Sequence, residues 1–246
     1  MDYKLIGDDM QAVVLHMQEG ETIRAEAGAM MYMSDNVHLD ARMEGGVLGG
    51  LKRKFLAGES FFIANVICRG PSGVAAFSAP YPGKILDHEL RGQSILCQKD
   101  AYLCSTGDID ISIAFTKKIG AGFFGGEGFI LQKLSGTGKA FIHAGGTLEQ
   151  LELQSGESLK VDTGCLVAFD PSVSYDIRSV GGIKTSLFGG EGLFFAYLTG
   201  PGRVWLQTLP FSRLADRIVS AYGKARGEVR RGGSLSGFLG DIISGD

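Results

Sequence analysis

Three Gly-Glu pairs are the residues whose type and recurrence could do chemistry: Gly58–Glu59, Gly126–Glu127 and Gly190–Glu191. Three carboxylates gathered near one axis could bind a cation or serve as acid and base. Close carboxylates also repel and raise one another's pKa unless they are paired. The structural alternative is a carboxylate in a glycine turn that accepts backbone N–H groups or pairs with an arginine. Repetition favours the structural role, because catalysis needs one site whereas a repeated element needs one fold.

The other reactive side chains form no recognisable constellation. His16, His38, His88 and His143 show no H-x-H or H-E-x-x-H spacing and no His/Cys cluster. No metal and no cofactor are expected. Cys68, Cys97, Cys104 and Cys165 lack a C-x-x-C pair and read as reduced, buried thiols. Cys165, in TGCLVAF, is expected on an apolar strand where a thiol stays protonated; Ala29 and Ala101 stand at the matching positions. The GGSLSG run at 232–237 has the wrong spacing for a nucleophile elbow. GGVLGG and GAGFFGGEG lack the Gly-Lys-Ser/Thr ending of a phosphate loop. No catalytic residue is expected, and the protein reads as a non-enzyme.

The elements that carry these residues repeat. FFGGEGFILQKLSGTGKAFIH at 123–143 recurs as LFGGEGLFFAYLTGPGRVWLQ at 187–207, and degenerately as FLAGESFFIANVICRGPSGVAAF at 55–77. Each apolar run reaches a glycine turn, at Gly70–Gly73, Gly136–Gly138 and Gly200–Gly202. A second marker recurs half a repeat away, around Gly20, Gly92 and Gly156. Gly92 to Gly156 and Glu127 to Glu191 are both 64 residues apart. Two markers with one spacing define three units, 1–79, 80–144 and 145–209, followed by a tail at 210–246. The longer spacings in the first unit, 72 and 68 residues, place insertions there.

Within the units, short alternating runs read as strands. YKLI at 3–6 and QAVVLHM at 11–17 flank a turn. Ile109, Ile111 and Ile113 alternate with polar residues, as do Val173, Tyr175 and Ile177. Strands of five to seven residues punctuated by Gly, Asp and Pro predict an all-β chain. Each unit would be a small sandwich, with three packed edge to edge around a pseudo-threefold axis. The tail differs. Phe211, Leu214, Ile218 and Tyr222 fall at helical spacing, which predicts an amphipathic helix over 211–225 with Ser212 as N-cap.

Composition bounds the function. At 246 residues with 44% hydrophobic content, the chain can bury a sizeable core. A net charge of −3 argues against a nucleic-acid partner. No apolar stretch has the length of a membrane helix, and MDYKLIGDDM lacks the basic and apolar regions of a signal peptide.

With its L-x-x-GES, FGGEG and Gly-x-Gly elements set out three times over 1–222, the chain resembles a conserved bacterial family of unknown function. That family shares the fold of the tryptophan RNA-binding attenuation protein and includes the altered-inheritance, mitochondrial-biogenesis protein of fungi. The resemblance implies a double-stranded β-helix type of unit, triplicated in one chain. It also implies homotrimers in which nine units form a pseudo-ninefold assembly, and a link with mitochondrial inner-membrane organisation. It supplies no catalytic residue, and fold alone does not license RNA binding.

The loops leading into the Gly-Glu pairs are the candidate interaction residues. They carry Val47, Leu48, Leu51 and Phe55; Ile119, Phe123 and Phe124; and Ile183, Leu187 and Phe188. Beside them stand Lys52, Arg53 and Lys54; Lys117 and Lys118; and Lys184. The favoured reading is that these apolar residues close the core or line the subunit contact. The other is that they rest on an anionic membrane. Burying two large apolar side chains gives about 3–6 kcal/mol, and each lysine near anionic lipid adds about 1 kcal/mol. One such loop binds marginally, whereas nine presented together bind avidly. The sequence is therefore read as a homotrimeric scaffold or adaptor, cytoplasmic, with peripheral attachment to a membrane as a variant. The alternative is a module binding small ligands or RNA in clefts between repeats.

Overall fold

In the computed structural model, residues 1–40, 63–117, 129–180, 193–215, 217–219 and 221 are described. Residues Met1–Pro210 form one unit and Phe211–Asp246 another. Among its described residues the first holds sixteen strands. They run β1 (Asp2–Ile6), β2 (Ala12–Gln18), β3 (Thr22–Glu26), β4 (Met30–Met33), β5 (Val37–Asp40), β6 (Ile63–Cys68), β7 (Ser72–Ser78) and β8 (Gly83–Gln98). There follow β9 (Tyr102–Lys117), β10 (Phe129–Gly145), β11 (Leu148–Leu153), β12 (Ser158–Asp162), β13 (Leu166–Phe169), β14 (Ser174–Val180), β15 (Leu193–Thr199) and β16 (Gly202–Gln207). The chain is mostly β, as its alternating patterns require; in β6, for example, Ala64, Val66 and Cys68 are buried between less buried neighbours.

Among the described residues all strand pairings are antiparallel, and three sheets result. They run β1-β2-β7-β4, then β11-β16-β13-β8-β10-β9-β3-β6-β5, then β12-β15-β14. In the first third β7 lies between β2 and β4, and β6 between β3 and β5. In the last third β16 lies between β11 and β13, and β15 between β12 and β14. In the middle, β10 lies between β8 and β9 along almost its whole length.

Three apolar cores fill the space between these layers. The first gathers Val13, Leu15, Ile23, Val66 and Phe77, and takes in Leu103, Cys104 and Phe141 from the middle of the chain. The second gathers Leu90, Ile95, Leu134 and Ile142, and takes in Val167, Ala168 and Trp205 from the last third. The third gathers Val161, Phe169, Ile177 and Leu198 with Leu96, Phe129 and Leu131.

Two expectations are corrected. Strands of five to seven residues were expected throughout, yet β8, β9 and β10 span 16, 16 and 17 residues. The glycine turn expected at Gly136–Gly138 is also absent, because β10 runs straight through both glycines. Their φ angles of +130° and +156° let β10 pass so close to β9 that a Cβ on either would lie about 2 Å from a backbone oxygen, Asp108 O or Thr106 O. In the second unit, residues 211–215, 217–219 and 221 are helical, in line with the predicted helix. Phe211, Ile218 and Val219 are exposed there.

Candidate functional site

The residues singled out from the sequence lie outside the described residues: Val47, Leu48, Phe55 and Gly58–Glu59; Phe123, Phe124 and Gly126–Glu127; Leu187, Phe188 and Gly190–Glu191. The strands on either side of them are placed. Each stretch joins two antiparallel neighbours, β5 to β6, β9 to β10 and β14 to β15. Asp40 is opposite Asn65, Lys117 opposite Phe129 and Val180 opposite Leu193.

The role foreseen for those Gly-Glu pairs is visible at the other marker. Glu21 accepts the Gln18 backbone N–H at 2.7 Å, and Glu157 accepts that of Gln154 at 2.8 Å. Between them in the chain, Gln93 accepts the Arg91 N–H at 2.8 Å. The preceding glycines, Gly20, Gly92 and Gly156, have φ of +81°, +85° and +80°. A side-chain oxygen thus accepts a backbone N–H beside each left-handed glycine, closing a turn at Gly20 and Gly156 and lying within β8 at Gly92.

A 3-10 turn recurs as well, at Ala27–Ala29, Lys99–Ala101 and Thr163–Cys165. An acceptor side chain precedes each: Glu26, Gln98 and Asp162. Asp162 accepts the Gly164 N–H at 2.9 Å. Burial raises the Glu26 carboxyl pKa, partly offset by backbone N–H groups of Gly28 and Ala29. Cys165 ends the third turn and is half-buried, so the apolar strand expected for it, β13, begins one residue later.

The buried titratable groups are held in their neutral forms. Burial pushes the Cys97 thiol up to about 12 and the Cys104 thiol well above its usual value. Cys68 is buried too. His143, on β10, is 1% exposed and lies edge-on to the Tyr81 ring at 4.6 Å. Burial lowers its pKa to about 4. A thiol that cannot ionise and an imidazole that cannot take a proton near neutral pH are poor nucleophile and base. Among the described residues no group of three His, Cys, Asp or Glu side chains could hold a metal ion.

Two half-exposed polar clusters escaped the sequence reading, because their members are far apart in the chain. In the first, the Tyr3 hydroxyl donates to Asp87, and Lys139 Nζ donates to the Tyr3 oxygen at 2.9 Å. Lys139 also lies 3.7 Å from Asp87 and over the Tyr3 ring, which meets Phe141 edge-on at 5.0 Å. The hydrogen bond to Tyr3 raises the Lys139 pKa. In the second, Arg203 forks onto Asp170 at 2.9 and 3.1 Å and covers the Trp205 ring at 5.0 Å. Trp205 donates to Gln150 at 2.9 Å, and His88 meets its ring at 5.4 Å. Burial and then Arg203 lower the His88 pKa. Each cluster pairs a cation with an aromatic ring and a carboxylate. The contacts are satisfied, and they tie β1 to β8 and β10, and β8 to β16. Among the described residues no helix is long and apolar enough to cross a membrane.

A family model described as Mitochondrial biogenesis AIM24 matches residues 3–209. An uncharacterized protein of Streptococcus pyogenes serotype M6 is 26% identical over 213 residues, which cover 84% of each chain. The X-ray structure of another Streptococcus pyogenes protein matches with a TM-score of 0.74 at 22% identity. That match covers 89% of this chain and 99% of the solved one, and at that identity the likeness is one of fold.

Proposed function

The chain belongs to the mitochondrial biogenesis AIM24 family, and we propose that it is a non-enzymatic scaffold built from three copies of one β unit that assembles as a homotrimer. One observation carries this reading: a single pairing scheme recurs along the chain. A central strand between two partners occurs as β7 between β2 and β4, as the second half of β10 between β8 and β9, and as β16 between β11 and β13. A second such trio accompanies each: β3-β6-β5, the other halves of β8, β10 and β9, and β12-β15-β14.

This threefold scheme is the arrangement that a ring fold of the attenuation-protein type would need. The neutral, buried states of Cys97, Cys104 and His143 support a structural rather than a catalytic role. In this reading the protein is cytoplasmic. The strand pairs on either side of the candidate apolar residues, β5 and β6, β9 and β10, and β14 and β15, occupy matching places in the three pairing schemes. In this reading the residues that join them meet a membrane or a membrane-bound partner.

Light scattering on the full chain should return three times the chain mass of 26.2 kDa. Co-sedimentation with anionic vesicles on the same sample tests the loops. Replacing Phe123, Phe124, Leu187 and Phe188 by Ser should abolish pelleting and leave the trimer intact. A wild-type chain that stays in solution removes the membrane surface from the proposal.

A further inference from the structure

The strand that follows each 3-10 turn has two different fates. Leu103, Cys104 and Ser105 at the start of β9 are 3%, 0% and 2% exposed, and Val167, Ala168 and Phe169 of β13 are all fully buried. In β4 the residues at the same distance from the turn are Met31, Tyr32 and Met33, and they are 55%, 46% and 41% exposed. The buried copies are covered because a strand from the preceding unit lies along them. Strand β3 pairs with β9, placing Ala25 opposite Cys104 and Arg24 opposite Ser105. Strand β8 pairs with β13, placing Cys97 opposite Ala168 and Leu96 opposite Phe169. Counted from the 3-10 turns, these two registers are the same.

Each such joint has a donor edge, the strand before a turn, and an acceptor edge, the strand after the next turn. Among the described residues there are three of each, and two are used. Among the described residues β12 is an edge of the three-stranded sheet and β4 an edge of the four-stranded sheet. They are the unused donor and acceptor. The cores agree. The first core takes in Leu103 and Cys104 of the following unit, and the second takes in Val167 and Ala168. The corresponding residues for the third core are Met31 and Tyr32, which lie at the opposite end of the row of units. An uncharged edge strand of sequence MMYM is also the kind that soluble proteins cover or blunt.

We propose that β4 of one copy pairs antiparallel with β12 of the next copy, with Tyr32 opposite Val161 and Met33 opposite Lys160, so that the third joint forms between chains. The inference rests on the homotrimer reading and specifies its contact. It also makes the contact head-to-tail, a heterologous interface that closes a ring when the rotation per chain allows it.

Cysteine cross-linking on the full chain tests the register. Directly opposed residues of an antiparallel pair come within disulfide distance. Chains carrying Met33→Cys and chains carrying Lys160→Cys, co-expressed and oxidised, should yield a covalent heterodimer that neither yields alone. A chain carrying both should yield a covalent trimer under non-reducing conditions. A fast-migrating monomer would show that the two edges meet within one chain, and would overturn the proposal. Independently, Tyr32→Lys combined with Met33→Glu should lower the mass in solution threefold, to that of one chain, with the circular-dichroism spectrum unchanged. A wild-type monomer sinks the homotrimer and the contact together. A wild-type trimer that survives the charge variant and forms no cross-link sinks the contact alone, leaving the trimer to another surface.

Discussion

The middle of the chain and its last third use related pairings with different strand lengths. From 83 to 145 three strands of 16, 16 and 17 residues suffice. From 148 to 207 six strands of four to seven residues make the corresponding contacts. The long strands pass through Gly92, Gly107, Gly136 and Gly138, all with positive φ, without a break. The short ones break where hydrogen bonds turn the chain: Glu157 N–H to Gln154 O, and Val173 N–H to Asp170 O. Proline at 201, which has no N–H for the ladder, separates β15 from β16. A left-handed glycine by itself therefore neither ends a strand nor continues it: Gly92 lies inside β8 although a Cβ there, as at Gly156, would meet nothing within 4 Å. Gly136 and Gly138 have β9 within contact distance.

Four measurements would break or sharpen that comparison. The largest effect is expected in the cores. Phe141 of β10 and Trp205 of β16 are both fully buried and each underlies one of the two polar clusters, Phe141 against the Tyr3 ring and Trp205 beneath Arg203. Phe141→Ala and Trp205→Ala should each cost about 3–5 kcal/mol of unfolding free energy in urea. A large loss for one and little for the other would show that the two strands do not play matching roles.

Next come the glycines. Gly138→Ala sets a Cβ against backbone that cannot swing away, and should cost about 2–3 kcal/mol. Gly156→Ala meets open space and should cost only the left-handed penalty, about 1 kcal/mol. Equal losses would mean that the close approach of β10 to β9 contributes nothing.

The third test is acid. His143 is lowered to about 4 in the folded chain, against an ordinary value of 6.5. The unfolded chain therefore takes up a proton that the folded chain refuses between those two values. Its contribution to stability is fully present above about 6.5 and is lost as pH falls towards 4. Between pH 7 and pH 5 the wild type should lose about 2 kcal/mol more than His143→Phe. Parallel curves for the two proteins would place the acid sensitivity elsewhere.

The smallest effect belongs to the Arg203–Asp170 fork. Arg203 is 43% exposed, so solvent screens the pair. Asp170→Asn should cost about 0.5–1 kcal/mol, and less in 1 M salt. A salt-independent loss would show that the Asp170 contact to the Arg203 backbone N–H matters more than the charge.

Much of the fold was legible before any coordinates. The strands at 2–6, 158–162 and 174–180 follow from period-two alternation, which needs only one buried face, whereas that at 12–18 is a short apolar run with Ala12 to Leu15 all buried. The glycines at 20, 92 and 156, read as one recurring marker, all take positive φ, with a turn at Gly20 and Gly156 and an unbroken strand at Gly92. The length of β8, β9 and β10 was not legible, because a glycine in a turn and a glycine under a neighbouring strand are the same letter. Ile113 shows the same limit from the other side. It continues the alternation of Ile109 and Ile111, yet it is 46% exposed while Ile109 is fully buried. Periodicity names a face and says nothing of what covers it.

The sequence by itself determined the all-β class, the tail helix, the family and the absence of any recognisable catalytic motif. These are properties of composition, short-range pattern and local turn chemistry, which act over a few residues. Only the tertiary structure decided which edges meet. It set β3 on β9 and β8 on β13, brought Tyr3 to Lys139 and Asp87, and left β4 exposed. Those outcomes depend on contacts between residues tens to more than a hundred positions apart. There the free energy comes from burying surfaces against each other, and no local preference encodes which surface will be the partner.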